Sequence, residues 1–198
     1  MNITELLSLH PQFHQDENGE PISWAIGDDV LQFIADHVQR GSRTMETGAG
    51  MSTVVFAYSE CLHTAIAPSP YEFEKIRTFC GRHGIDLGQT TLKEGNSETT
   101  LPSLLDTYDL DLFLVDGRHA FPSPYIDWYY GALMLDVGGL MVVDDTQLLT
   151  GAVLRDFMTE DPYWDSVMEF AKTSVFRKMS DGFHRAEWNQ QPYIMNRQ

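Results

Sequence analysis

The stretch from Arg43 to Ala57 (Arg-Thr-Met-Glu-Thr-Gly-Ala-Gly-Met-Ser-Thr-Val-Val-Phe-Ala) constrains this chain more than any other. It reads as a strand ending in an acid, then a glycine turn, then the start of a helix. Gly48 and Gly50 let the backbone turn tightly and approach a ligand closely. The helix N-terminal amides behind them face that ligand. Glu46 closes the strand, at the sheet end where open α/β folds bind their ligands. The dinucleotide spacing Gly-x-Gly-x-x-Gly is not met, because Thr53 holds the third glycine position. Taken alone, the turn fits a ligand site and a plain strand-to-helix connection equally.

Two later segments repeat the pattern. Asp109–His119 is an apolar run ending in Asp116-Gly117, and Asp136–Asp145 is another ending in Asp144-Asp145. Both read as buried parallel strands with carboxylates at their C-terminal ends. Gly138-Gly139 reads as the turn that ends the intervening helix and starts the second of these strands. Further strands are expected at 62–67 and 90–93, and two extended runs, 164–171 and 174–179, suit an antiparallel pair. Helices are expected at 2–10, 26–38, 51–59, 71–83, 98–107, 124–135 and 151–159, with 11–22 a polar loop. Asn2 is a candidate cap for the first helix and Gly84 the stop of the fourth. The alternation predicts an α/β, doubly wound, mostly parallel seven-stranded sheet with helices on both faces and a C-terminal antiparallel strand pair. At 198 residues the chain reads as one domain, with N-terminal helices in 1–40, the sheet core in 42–180 and a C-terminal tail in 181–198.

The chain carries 13 Lys plus Arg against 29 Asp plus Glu, a formal net charge of −16. Phosphate contacts need clustered cations, so this balance argues against nucleic-acid partners and anionic membranes. A neutral or cationic small molecule fits better. With no transmembrane-length apolar run and no basic, apolar leader pattern, the expected location is cytoplasmic. Cys61 and Cys80 lack metal-type spacing and read as buried free thiols.

Glu46-x-Gly48-x-Gly50-x-Ser52, then Val115-Asp116-Gly117-x-His119, then Gly138-Gly139-Leu-x-Val-x-Asp144-Asp145 resemble, in order and spacing, the motifs of class I S-adenosylmethionine-dependent methyltransferases. The likeness is to their small catechol-type O-methyltransferases, over residues 25–180. It implies methyl transfer from S-adenosylmethionine to a small-molecule acceptor, at a hydroxyl oxygen, with Mg²⁺ assistance. It also implies pairing into a homodimer through the N-terminal helix or terminal strands. Cofactor contacts then fall to Glu46, Gly48, Ala49, Gly50, Ser52, Asn96, Ser97 and Asp116. Gly95-Asn96-Ser97 resembles the family's adenine-touching segment, although Asn96 or Ser97 equally suits a helix cap.

The chain departs from the family at the second strand. An acid there binds the ribose hydroxyls, whereas this sequence has Ala67. Ser69, Glu72 or a backbone group is left to substitute, while Glu72 and Glu74 also suit a solvated helix face. Asp116, Asp144 and Asp145 match the family's metal ligands, with Asp-Asp where Asp-Asn is usual. Repelling carboxylates of this kind suit a shared divalent cation. The alternative has Asp116 bonding the cofactor's ammonium and Asp144 and Asp145 capping the next loop. His119 stands where the family has its general base and could take the hydroxyl proton, with Asp116 beside it. Tyr125, Trp128, Tyr129 and Tyr130 either wall an aromatic pocket or pack the core. The rival functions are another S-adenosyl-nucleoside-using transferase and a non-catalytic nucleoside-binding or assembly protein.

Overall fold

The computed structural model describes residues 1–16, 18–105 and 109–198. It opens on α1 (Ile3–Leu7), which Asn2 caps: the Asn2 side chain accepts from the Glu5 amide at 2.9 Å, and the Glu5 carboxylate accepts from the Asn2 amide at 2.8 Å. The segment read as a polar loop contains a hairpin, β1 (His14–Gln15) and β2 (Pro21–Ile22), paired antiparallel. Two-residue strands are too short for alternation to register in the sequence. Asp16 shapes the turn by accepting from the Asn18 and Glu20 amides, both at 2.9 Å. Helix α2 (Asp28–His37) follows, with Asp28 and Asp29 in its first turn.

The alternation then runs β3 (Arg43–Thr47), α3 (Met51–Tyr58), β4 (Leu62–Ala67), α4 (Pro70–His83), β5 (Thr90–Glu94) and α5 (Ser97–Thr100). It continues through β6 (Leu110–Val115), α6 (Ser123–Met134), β7 (Leu135–Val143), α7 (Leu149–Glu160), β8 (Trp164–Glu169) and β9 (Ser174–Lys178) to a terminal α8 (Pro192–Met195). Gly84 ends α4 in the left-handed region, as its position predicts. The helix expected over 98–107 breaks after one turn, because Pro102 converts its continuation to a 3₁₀ turn (Leu101–Leu104). Residues 106 and 107 of that expectation lie outside the described residues.

The seven-stranded sheet has the order β5-β4-β3-β6-β7-β9-β8. The first five strands are parallel, and β9 runs antiparallel to both β7 and β8. One reading is corrected. Gly138 and Gly139 do not end α6, which stops at Met134; β7 starts at Leu135 and runs through both glycines. Gly138 has φ +93° and the β6–β7 register slips between Leu110 and Leu112, so the pair marks an irregular strand start.

Strand alternation divides the core. Met45, Phe113, Val115, Met141 and Val143 face α6 and α7, while Leu112, Leu114, Leu140 and Val142 face α2 and α3. Ala65 and Ala67 pack beneath α4. Trp128 belongs to the first of these layers, against Phe157, Trp164 and Phe183, so the core reading of that aromatic holds. Both cysteines are buried and free, and burial pushes each thiol up to about 11. Among the described residues no helix is long and apolar enough to cross a membrane.

Candidate active site

The sheet order reverses between β3 and β6, and their C-terminal ends open the crevice expected at such a switch point. The backbone is stitched there: the Asp116 amide donates to Thr47 O at 3.2 Å, and the Gly48 amide to Ile66 O at 2.8 Å. Gly48 has φ +94°, and a Cβ on it would stand 2.1 Å from the Asp116 carbonyl oxygen. Only glycine serves at that position.

Above this edge lies a cavity of about 670 Å³, within the range of small-molecule and cofactor sites. Gly48, Ala49, Gly50 and Ser52 line one part, Ile66, Ala67 and Glu72 a second, and Asn96 and Ser97 a third. Asp116, His119, Asp145 and Lys172 line the remaining wall. Asn96 holds the N-cap position of α5 without a side-chain cap bond, which leaves its amide available to the cavity. The β1–β2 hairpin and the segment after it, including His14 and Trp24, cover the site.

Glu46 does not face this space. Alternation turns it to the α3 side, where it is fully buried. The Ser52 hydroxyl donates to it at 2.5 Å, the Thr53 hydroxyl donates to its other oxygen, and His63 Nε2 lies 3.1 Å away. Thr53 also accepts from the Gly50 amide at 3.1 Å. Glu46 therefore holds the glycine turn onto the helix instead of touching what the turn binds. His63, stacked on Phe56 and hydrogen-bonded to Thr44, completes this buried network. This network is not legible in the sequence, because a histidine inside a strand declares neither its face nor its partner.

Glu72 is likewise not on a solvated face. Its carboxylate pairs with His14 Nδ1 at 3.0 Å inside the cavity, both side chains mostly buried at 16% and 17% exposure. His14 in turn lies over Gly50, whose added Cβ would meet its ring 3.4 Å away. A carboxylate thus reaches the region where Ala67 leaves a gap, carried by the first turn of α4.

His119 Nε2 sits 2.9 Å from Asp145 Oδ2 and 4.0 Å from Asp116 Oδ1. The Thr150 hydroxyl donates to the His119 carbonyl at 2.7 Å and fixes the loop. This is a histidine oriented by a carboxylate at the cavity wall, the arrangement of a general base. Burial, with the nearby charges of Asp144, Glu46 and Asp145, holds the Asp116 carboxyl well above the usual range, opposed by Lys172.

Asp116, Asp144 and Asp145 do come to one edge, but the oxygens that a divalent cation would take are directed elsewhere. The Thr173 hydroxyl donates to Asp144, Gln147 Nε2 donates to Asp145 Oδ1 at 2.7 Å, and Lys172 lies beside both residues. Among the described residues no three His, Cys, Asp or Glu side chains are placed to hold a metal ion together. This donor set does not fit the expected Mg²⁺. Lys172, on the turn between β8 and β9, was invisible in the sequence because its contacts lie on other elements.

The fold has close counterparts among solved structures. The O-methyltransferase TomG from Streptomyces achromogenes, solved with S-adenosylmethionine, superposes with a TM-score of 0.69 at 16% identity, over 89% of this chain and 90% of that one. Cofactor-bound Rv0187 from MTB gives 0.66 at 17% identity, over 90% and 88%. The S-adenosylhomocysteine-bound methyltransferase PaMTH1 from Podospora anserina gives 0.63 at 18%, over 90% and 88%. The chain has the class I methyltransferase fold. No family model matches its sequence, and no curated protein matches it significantly. At these identities the likeness is one of fold.

Proposed function

We propose that this protein is an S-adenosylmethionine-dependent methyltransferase that methylates a hydroxyl oxygen of a small molecule. The observation that carries the reading is the joining of two features in one cavity: the glycine turn pressed against Asp116, and the His119–Asp145 pair beside it. The lining suits the cofactor. Gly48, Ala49 and Gly50 offer close backbone approach for its amino-acid part. Glu72, steadied by His14, offers acceptors for ribose hydroxyls, and Asn96 and Ser97 offer polar groups to adenine. Asp116 suits the cofactor's ammonium. The cofactor supplies a methyl group already activated on a sulfonium.

The chain's own work is alignment and proton removal. An acceptor hydroxyl meets His119 at Nδ1, the ring nitrogen that the Asp145 contact at Nε2 leaves free, and the imidazole takes its proton while Asp145 stabilises the resulting imidazolium. His14 on the hairpin and Trp24 just after it shelter one side of the cavity. Ala67 favours the rival reading, a protein that kept the turn without catalysis; the buried Glu72 weakens it, since an acid serves that region from another element. The net charge of −16 supports a small, uncharged or cationic acceptor over nucleic acid.

The test is calorimetric titration with S-adenosylmethionine and S-adenosylhomocysteine, followed by a screen of hydroxylated small molecules for S-adenosylhomocysteine formation. Micromolar binding, with turnover lost in His119→Asn, is the expected result. Absence of binding by the folded protein sinks the proposal, and binding without turnover across the panel moves the function to the non-catalytic reading.

A further inference from the structure

The acidic edge at the ends of β6 and β7 already holds a cation, and the chain supplies it. Lys172 Nζ lies 3.6 Å from Asp144 Oδ2 and 3.6 Å from Asp145 Oδ1. It also donates to the Ala25 carbonyl at 3.0 Å. The turn that carries it is pinned on both sides: the Thr146 amide donates to the Lys172 carbonyl at 2.8 Å, and the Thr173 hydroxyl donates to Asp144. The Asp144 side chain is 1% exposed, and its Oδ2 has no hydrogen-bond donor among the described residues. A buried carboxylate oxygen in that state is held by a nearby positive charge or not at all. Lys172 is the cation within ion-pair distance.

We propose that the Lys172 ammonium is the resident counter-cation of Asp144 and Asp145, standing where a divalent metal would stand, so that this site takes up no metal. The inference deepens the methyltransferase reading and rests on it only for its catalytic consequence. A lysine ammonium brings one positive charge and three donors, and it needs no shell of six oxygens, as Mg²⁺ does. It leaves the second oxygen of Asp145 to His119. Because the same ammonium bonds Ala25, it also ties the segment covering the cavity to the carboxylate edge. Proton removal then falls to His119, with no metal-bound acceptor.

The experiment is titration of the chelator-treated full chain with Mn²⁺ and Mg²⁺, read by calorimetry and by Mn²⁺-induced water relaxation. The proteins are the wild type, Lys172→Met and Lys172→Arg. Wild type and Lys172→Arg are expected to bind neither ion at millimolar concentration. Lys172→Met, freed of the ammonium, is expected to bind Mn²⁺ and to melt at higher temperature in its presence. Metal binding by the wild type overturns the proposal. So does a folded Lys172→Met that still binds none. If Lys172→Met does not fold, Lys172→Gln, whose amide can still donate to Ala25, takes its place under the same two criteria. S-adenosylhomocysteine titration of the same samples reports on the cofactor reading separately, so loss of one does not mimic loss of the other.

Discussion

Asp127 of α6 is fully buried, and neither of its oxygens finds a well-formed hydrogen bond among the described residues. Burial lifts its carboxyl from an ordinary 3.8 to about 6, although Ser97 and Thr47 beside it pull the other way. A raised value means the fold prefers the neutral form. Its stabilising share is full below about 4 and is lost as pH rises through about 6. Asp127→Asn should therefore melt higher than wild type above pH 6 and converge with it near pH 4. At ~1.4 kcal/mol for each tenfold change in proton affinity, the difference is at most about 3 kcal/mol. Thermal melts across that range check it. For His119, replacement by Asn should lower kcat by about 100- to 10,000-fold, leaving S-adenosylhomocysteine affinity unchanged. Single residues were unevenly legible. His119 and Asp116 lie on the same loop as their motif, so spacing alone placed them at the crevice. Asp127, His63 and Lys172 act through partners far along the chain, and nothing in their local sequence names those partners.

The β3–α3 turn and the β1–β2 hairpin are the two elements that make the cavity. Gly48→Ala forces a side chain against the Asp116 carbonyl in a left-handed conformation. A loss of at least about 3 kcal/mol is expected, together with loss of cofactor binding, read by melting and titration. Gly50, extended at φ −176°, should tolerate alanine better, its cost being pressure on the His14 ring. The segment leaving the hairpin contributes differently, through Trp24, which lines the cavity yet is 58% exposed. Cofactor binding should change its fluorescence, and Trp24→Ala should weaken S-adenosylhomocysteine by about tenfold, or ~1.4 kcal/mol. These elements also mark where reading the sequence succeeded and stopped. A glycine pair between an apolar strand and an apolar helix is a local signal, strong enough to fix the turn to the residue. The hairpin's strands are too brief to carry a period, and its place over the crevice is set by packing against α4 and by the Ala25–Lys172 bond. Of the two roles open to Glu72, the sequence cannot choose for a related reason: its helix is amphipathic overall, but its first turn lies against His14 of that hairpin.

At the scale of the molecule, the sheet was almost wholly legible. Seven extended runs separated by helical periods admit few topologies, and buried parallel strands announce themselves as continuous apolar runs. What the sequence could not reveal is which charges meet across strand ends, because that depends on register between segments distant in the chain. The cavity walls come from residues 11–14, 22–26, 47–52, 66–68, 72, 95–98, 116–119, 145 and 172. The bond from Lys172 to Ala25 spans 147 positions of the 198-residue chain. A protein synthesised from its N-terminus thus assembles the glycine turn early but cannot close the pocket until the β8–β9 turn has emerged. Any ligand that needs the closed pocket therefore cannot serve as a template for the nascent sheet: it would meet a finished protein, and its binding energy would defend the completed fold against unfolding without helping to build it.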